Sequence, residues 1–327
     1  MYARHFSLRE APFSITPDSA YFFPHEGAQS ALNMLLVALR SGEGFVKIVG
    51  EVGCGKTVLC RQLLKILQDE CVTAYIPNPD MGPDDLLMAL VLELGVGLPQ
   101  RPARGKPGPN SNSRSKSKPS TRHALLGALR HALLAHAQAG RRVVVCIDEA
   151  QAIPLPTVES LRLLSNLETE KAKLLQLVLL GQPELDEKLS QPEIRQLLQR
   201  ITFSEYLGPM AADRVPAYLA HRLATAALGE GTDTQVFELS AAQALAVYSR
   251  GVPRLVNVLA HKCLMLAYGE GKHRITVAHV RLAVADTPGV RPVSAWQRWL
   301  GAWSRWGWPH SRAVAKAGPA VPKGVAR

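Results

Sequence analysis

The stretch Gly50-Glu-Val-Gly-Cys-Gly-Lys-Thr57 decides the fold that this sequence predicts. It follows the apolar run Phe45–Val49, precedes an amphipathic segment over Lys56–Gln68, and matches the pattern G-x-x-x-x-G-K-[ST]. A strand before this pattern and a helix after it are the context that a phosphate-binding loop requires. The glycines let backbone N–H groups turn toward phosphate oxygens, and the helix adds its positive N-terminal end. The expected nucleotide contacts are Gly50, Glu51, Val52, Gly53, Cys54, Gly55, Lys56, Thr57 and Val58.

Two side chains of this loop and an acidic pair about ninety residues later predict a site for ATP and Mg²⁺. Lys56 is expected to bridge the β- and γ-phosphates, and the Thr57 hydroxyl to hold Mg²⁺. The run Val143–Glu149 (VVVCIDE) indicates a buried strand that ends on two carboxylates. Asp148 is placed to hold Mg²⁺ through water, and Glu149 to polarise the attacking water. The alternative is that this acidic pair caps the next helix.

Strand and helix patterns alternate over the first two hundred residues, which predicts an α/β domain with a parallel sheet sandwiched by helices. The expected strands are Phe45–Val49, Val72–Ile76, Val143–Asp148, Leu174–Gly181 and Ile201–Tyr206. Helical patterns separate them at Lys56–Gln68, Pro83–Leu94, Ala124–Gln138, Thr157–Glu168 and Glu184–Gln199. Within residues 99–122, a Pro-, Gly-, Ser- and Lys/Arg-rich insertion predicts a disordered surface segment, because it has little apolar surface to bury.

Strand patterns stop near Pro209, and three or four helical patterns follow, which predicts a small all-helical lid domain over residues 209–286 behind the α/β domain of residues 1–208.

Two polar residues extend the expected site from these elements. Gln182 leaves the end of a strand, where it could orient water, although a plain loop glutamine is the alternative. Arg254 follows Pro253 at a helix start, which would aim its guanidinium back at the phosphates.

The net charge of +11 is concentrated in two segments. Residues 101–122 and 287–327 each carry seven Lys/Arg and no acid, so subtracting their fourteen charges from +11 leaves −3 for the rest. A basic patch on the folded core is therefore not predicted, which makes nucleic-acid binding less favoured without excluding attraction by the tails. No apolar run reaches the length of a bilayer span, and the N-terminal residues lack a signal-peptide core, so we expect a cytoplasmic protein.

The five cysteines are scattered and contain no C-x-x-C pair, which predicts reduced thiols and neither disulfides nor a zinc site. Cys54 differs from the others because it lies in the phosphate loop at a helix N-terminus. That position tends to lower the pKa of a thiol. The sequence leaves open whether Cys54 is redox-sensitive or only fills a small space.

Several separate stretches resemble the ExeA-type (general secretion pathway protein A) AAA+ ATPases, and especially their MshM-like members of MSHA pilus biogenesis. They are MYARHFSLREAPFSITPD, SGEGFVKIVGEVGCGKT, VVVCIDEAQ, LRLLSNLETEKAKLLQLVLLGQPEL, LLQRITFSEYLGPM and GVPRLVNVLAHKCLMLAY, within residues 1–286. The resemblance implies an AAA+ fold, a homo-oligomer and packing of Phe6, Pro12 and Phe13 near the adenine, with a staple of core aromatics as the alternative. This sequence lacks the membrane span and peptidoglycan-binding domain of ExeA proper, which favours the MshM-like form.

The same resemblance implies an arginine that reaches the nucleotide of the adjacent subunit. Arg200 lies where a helix meets the last strand and is the favoured arginine finger, with Arg195 as the second candidate. Surface salt bridging is the alternative for both. Two departures stand out: position 54 is Cys where the family usually has Thr or Ser, and the basic insertion is longer than expected.

All five tryptophans lie within Trp296–Trp308, at the centre of the basic tail of residues 287–327. As an amphipathic helix over residues 294–308, the segment places Trp296, Trp299, Trp303 and Trp306 on one arc and two arginines opposite. Such a helix could contact a membrane surface, a groove of a partner, or the lid of the protein itself. The remaining residues, 309–327, are predicted to be disordered.

Together these features predict an ATP-hydrolysing assembly or remodelling factor for a type IV (MSHA-like) pilus or secretion apparatus. Its partners would be other copies of itself and assembly proteins, at or near the inner membrane. The second hypothesis is a TniB-like DNA-transposition ATPase, which would show nucleic-acid-stimulated hydrolysis and strong salt dependence. The third is an ATP-dependent interaction switch that hydrolyses negligibly.

Overall fold

The structure is a computed structural model that describes residues 2–96, 121–168, 173–229 and 234–290. Most of the predicted basic insertion and the Trp296–Trp308 segment lie outside these described residues. The predicted end of the insertion at residue 122 is two residues too late, because a helix begins at Thr121. Among the helices in the described ranges, none is both long enough and apolar enough to cross a bilayer.

A five-stranded parallel sheet forms the centre of the α/β part, as predicted. Its strands are β1 (Phe45–Val49), β2 (Cys71–Ile76), β3 (Arg142–Ile147), β4 (Gln176–Gly181) and β5 (Ile201–Tyr206), in the order β2-β3-β4-β1-β5. The three inner strands are buried on both faces, except at Arg142, which explains why they read as continuous apolar runs. Because all strands are parallel, the residues that follow β1, β3 and β4 meet at one edge of the sheet.

Helices cover both faces of this sheet. After the short α1 (Tyr2–His5), helices α2 (Glu26–Arg40) and α3 (Lys56–Leu67) pack on one face. The other face is covered by α4 (Pro83–Glu93), α5 (Thr121–Gln138), α6 (Leu155–Leu164), α7 (Glu184–Leu189) and α8 (Arg195–Leu198). The single helix predicted over Glu184–Gln199 was wrong: it is divided by a 3₁₀ turn at Pro192–Ile194, because proline cannot continue the hydrogen bonds of a helix interior.

A second apolar core lies among α9 (Val215–Ala226), α10 (Leu239–Ser249), α11 (Pro253–Gly269) and α12 (Val277–Ala285). Residues 2–13 join this lid core, although the sequence predicted them in the α/β domain. The Tyr2 hydroxyl hydrogen-bonds with Nδ1 of His261 on α11 at 2.9 Å, and Phe6 and Phe13 are buried in the same cluster. Both faces of the sheet are already covered by helices, so the lid offers these aromatic side chains their apolar contacts. Residue 208 is therefore not a clean boundary between the two cores.

Gly251 holds the lid against the segment that leaves the sheet. It has φ +72°, and a Cβ atom added there would lie 1.9 Å from the carbonyl oxygen of Met210. We expect Gly251→Ala to lower the free energy of unfolding by about 1–3 kcal/mol, since both the left-handed backbone and the close approach oppose a side chain.

The matched control for this substitution is Gly127→Ala in the middle of α5, where an added Cβ meets nothing within 4 Å. Alanine there is expected to raise stability by about 0.5–1 kcal/mol, because glycine is the poorer helix former. Chemical denaturation of both variants measures the difference. Equal stability of Gly251→Ala and the wild-type protein would contradict the strain assigned to this position.

Candidate nucleotide-binding site

The loop between β1 and α3 has the backbone shape of an anion cradle. Gly53 and Gly55 have φ of +83° and +98°, and Gly55 is the N-cap residue of α3. A Cβ at Gly50 would lie 2.3 Å from the carbonyl oxygen of Leu207, and one at Gly53 would lie 2.7 Å from Cβ of Arg254. Glycine at these positions therefore permits both the turn and the close contact with neighbouring chain.

Lys56 is buried inside this cradle. Its Nζ donates hydrogen bonds to the carbonyl oxygens of Gly50 at 2.7 Å and Glu51 at 3.1 Å, and the residue is only 5% exposed. These carbonyls carry no net charge, so they do not neutralise the ammonium group. A buried cation held by neutral acceptors suits an anion such as a phosphate.

Thr57 and Asp148 are brought into direct contact by α3 and β3. The Thr57 hydroxyl donates to Oδ2 of Asp148 at 2.6 Å, and the Tyr75 hydroxyl of β2 donates to the same oxygen at 3.2 Å. The other carboxylate oxygen accepts the backbone N–H of Glu149 at 3.0 Å, so both oxygens of Asp148 are oriented. Tyr75 was not predicted; its place on the strand beside β3 is the only sequence signal for it.

Glu149 follows β3 with φ +50°, which is uncommon for a residue with a side chain. Its Oε2 atom accepts hydrogen bonds from the side-chain amides of Gln151 at 2.6 Å and Gln182 at 2.9 Å. Burial alone raises the pKa of Glu149, but these two hydrogen bonds and the charge of Lys56 outweigh it and lower that pKa below its ordinary value. Glu149 is therefore ionised at neutral pH. The part that Gln151 plays in this site was also not predicted.

The lid approaches the loop through the first turn of α11. The backbone N–H of Arg254 donates to the carbonyl oxygen of Gly53 at 3.2 Å, and its side chain is exposed beside the loop. A cavity of about 290 Å³ opens here. Loop residues Val52–Val58 and Glu149 line one side, and the lid contributes Tyr218, Arg222, Pro253, Arg254 and Asn257.

Most of the remaining cavity wall comes from the segment before α2, and Ala28, Leu207 and Met210 complete it. The segment contributes Ser14–Asp18, Tyr21, Phe22, Phe23 and His25. Phe6, Pro12 and Phe13, which the resemblance placed near an adenine, do not line it; Phe6 and Phe13 are lid-core residues, as in the alternative interpretation. Pro12 contributes its carbonyl oxygen, which accepts a hydrogen bond from Nε of the buried Arg222. The apolar pattern could not show which aromatic residues face the core and which face the cavity.

Arg200 lies far from the phosphate loop of its own chain. It immediately precedes Ile201, which pairs with Phe45 at the start of β1, whereas the loop follows the end of β1. A five-residue strand separates two such points by about 13 Å. Nη1 of Arg200 donates to Oγ of Ser165 at the end of α6 at 2.5 Å, and Arg195 is exposed on α8. Neither arginine is brought to the cavity within one chain.

The expectation of a lowered pKa at Cys54 was wrong. Cys54 is only 2% exposed, and burial raises the pKa of its thiol although Lys56 acts in the opposite direction. The helix terminus does not compensate for the loss of water around the sulfur. The remaining cysteines are also buried and free, so the side chain at position 54 fills space beneath the loop.

The residues present fit a nucleoside triphosphate and a magnesium ion. The glycine cradle and the buried Lys56 ammonium suit phosphate oxygens, while the hydroxyl of Thr57 and the carboxylate of Asp148 offer the oxygen ligands that Mg²⁺ prefers. Within the described ranges, no group of three or more His, Cys, Asp or Glu residues forms a separate metal site.

Comparison with known proteins agrees with this geometry. Residues 39–189 match the family described as AAA domain. The structure is similar to that of Cdc6p from Pyrobaculum aerophilum (TM-score 0.62, 18% identity, 84% of this chain and 70% of that chain). It is also similar to the ORC2 protein of Aeropyrum pernix (TM-score 0.60, 18% identity, 86% and 72%). At these identities the similarity defines the fold alone. The fold is that of the AAA+ P-loop ATPases, as predicted.

The predicted resemblance to general secretion pathway protein A is confirmed. The chain is 39% identical over 300 residues to General secretion pathway protein A of Aeromonas hydrophila, which covers 92% of this chain and 51% of that protein. The chain therefore spans about half the length of this relative. The narrower resemblance to MshM-like proteins stays a prediction.

Proposed function

We propose that the protein binds ATP with Mg²⁺, hydrolyses it, and uses the cycle to assemble or remodel a secretion or type IV pilus apparatus. The hydrogen-bonded set that joins Thr57 to Asp148 and Glu149 to Gln182 at one edge of the sheet supports this best. It combines oxygen ligands for a metal with an ionised carboxylate beside the phosphate cradle. Such an arrangement suits hydrolysis better than binding alone.

In the proposed mechanism each side chain keeps the position that the fold gives it. Lys56 neutralises charge on the β- and γ-phosphates. Thr57 and Asp148 would hold a magnesium ion, which would supply further charge neutralisation. Glu149 accepts a proton from the attacking water, and Gln182 orients that water through the same hydrogen-bonded set. Arg254 contacts the phosphates from the lid, so that the position of the lid depends on the nucleotide.

The position of Arg200 supports a homo-oligomer within this proposal. Arg200 lies at the edge of the sheet opposite its own phosphate loop. If its guanidinium contacts a γ-phosphate, that phosphate is therefore bound to another copy of the chain. We favour Arg200 over the exposed Arg195 because the contact with Ser165 fixes its direction.

The apparatus is inferred from the relative named for general secretion. We propose that the protein acts in the cytoplasm, where ATP is supplied, at the periphery of the inner membrane beside other assembly proteins. The MSHA-like pilus is the narrower version of this proposal, and contact of Trp296–Trp308 with a membrane surface is one way to hold it there.

Phosphate release from ATP by the full chain tests the enzymatic part. We expect turnover that requires Mg²⁺, is lost with EDTA, and rises per subunit with protein concentration as shared sites form.

Lys56→Ala should remove turnover and weaken nucleotide binding, because the cradle loses its buried charge. The matched control is Lys65→Ala, since Lys65 lies on the exposed side of the same helix. Concentration series that show ATP binding but no Mg²⁺-dependent release would contradict the proposal.

A further inference from the structure

Gln151 joins two residues of the proposed catalytic set through one side chain. Its Nε2 donates to Oε2 of Glu149 at 2.6 Å, and its Oε1 accepts the backbone N–H of Gln182 at 3.0 Å. The orientation of this amide is determined by its partners, because a carboxylate at neutral pH only accepts and a backbone N–H only donates. Exchanging the nitrogen and oxygen of the amide would break both hydrogen bonds.

The surroundings also hold Gln151 in place. It lies in the 3₁₀ turn Ala150–Ala152, and Nζ of Lys188 on α7 donates to the carbonyl oxygens of both Gln151 and Ile153, the latter at 2.7 Å. A Cβ added at Gly181 would lie 3.2 Å from Oε1 of Gln151, so the end of β4 passes close to this amide. The side chain of Gln151 is therefore held by its two amide hydrogen bonds, and its backbone is held by Lys188.

The two glutamines contact Glu149 in different ways. Gln182 touches Glu149 with its side-chain amide, while its own backbone is held by Gln151. Both amides bind Oε2 of Glu149, so Oε1 is the carboxylate oxygen that remains to accept a proton from water. Losing Gln151 would release the carboxylate and at the same time loosen the backbone that carries Gln182.

We propose that Gln151 is a positioning residue for hydrolysis. It holds the carboxylate of Glu149 and the backbone at the end of β4 in a fixed orientation relative to each other. This inference rests on the proposed function, since it assigns Gln151 a part in the same reaction. Gln151 is not among the residues that line the cavity. It acts through Glu149 and Gln182.

Two variants test this role. Gln151→Met keeps the length of the side chain and removes both hydrogen bonds, whereas Gln151→Glu keeps the acceptor and places a second carboxylate against Glu149. A hydrogen bond to a charged group is worth about 1.5–3 kcal/mol, so we expect kcat of Gln151→Met to fall about 10- to 100-fold. The KM for ATP and the nucleotide affinity should change less than about twofold. Gln151→Glu should lose at least as much turnover.

The split between kcat and KM separates positioning from a general structural effect. Loss of a residue that only stabilises the fold would weaken nucleotide binding together with turnover. Loss of a positioning residue lowers kcat and leaves the KM for ATP nearly unchanged.

The matched control is Gln243→Glu, an exposed glutamine on α10 of the lid, which should leave kcat and the KM for ATP unchanged. Thermal unfolding and binding of a fluorescent ATP analogue establish that each variant is folded. A wild-type protein without turnover overturns this inference together with the proposed function. A wild-type protein that turns over, beside a nucleotide-binding Gln151→Met with unchanged kcat, overturns this inference alone.

Discussion

Glu149→Gln is expected to remove most ATP turnover while nucleotide binding is retained. Glutamine fills the same space but cannot accept a proton at neutral pH, and general-base catalysis contributes about 10²–10⁴-fold. The hydrogen bonds from Gln151 and Gln182 end on one carboxylate oxygen of Glu149, so the amide oxygen of the substituted side chain can still receive them. Steady-state phosphate release gives kcat, and a fluorescent ATP analogue gives the affinity.

The control for this charge change is Glu187→Gln, an exposed acid on α7. It should keep turnover within about twofold of wild type. Turnover of the wild-type protein should persist down to mildly acidic pH, because the lowered pKa of Glu149 keeps its carboxylate ionised there. A Glu149→Gln protein with wild-type kcat would remove Glu149 from the mechanism and leave the loop as a binding site only.

Arg200→Ala is expected to lower kcat by about 10³-fold or more, as is typical when a finger arginine is lost. The nucleotide should still bind, since the cradle and Lys56 belong to a different edge of the sheet. Arg195→Ala is the matched control, because Arg195 is exposed on the preceding helical turn. Turnover of both variants over a range of protein concentrations compares the two arginines directly.

Mixing two inactive variants tests whether the site is shared between subunits. A subunit with Glu149→Gln still carries Arg200, and a subunit with Arg200→Ala still carries Glu149. A mixed interface therefore contains one complete set, and we expect turnover well above the sum of the two separate proteins. Mixtures without any recovery, although both variants assemble, would contradict a finger in trans.

The sheet and its loop could be predicted because their signals are local. The bounds of β1 and β5 agree with the sequence patterns, and the residues around Lys56 and Asp148 follow from a strand end joined to a helix start. Apolar runs bounded by charged or turn residues are sufficient for such elements. The AAA+ fold class and the similarity to general secretion pathway protein A were likewise predicted from short stretches.

What the sequence did not show depends on contacts between distant residues. Helix α2 (Glu26–Arg40) was not predicted, and nothing in the N-terminal pattern indicated that Phe6 and Phe13 pack into the lid. The pKa of Cys54 followed burial, which a helix-terminus argument does not include. Tyr75 and Gln151 were missed because hydrogen bonds across strands or to a backbone N–H leave no periodic pattern.

The path of residues 2–25 has a consequence for ligand binding. The chain runs from the lid core through the cavity wall at Ser14–Phe23 to α2, and it returns to the lid after β5 through Leu207–Met210. Two covalent connections thus join the lid to the α/β part, and both contribute residues to the wall of the nucleotide cavity. A ligand bound in this cavity would therefore contact both connections at once.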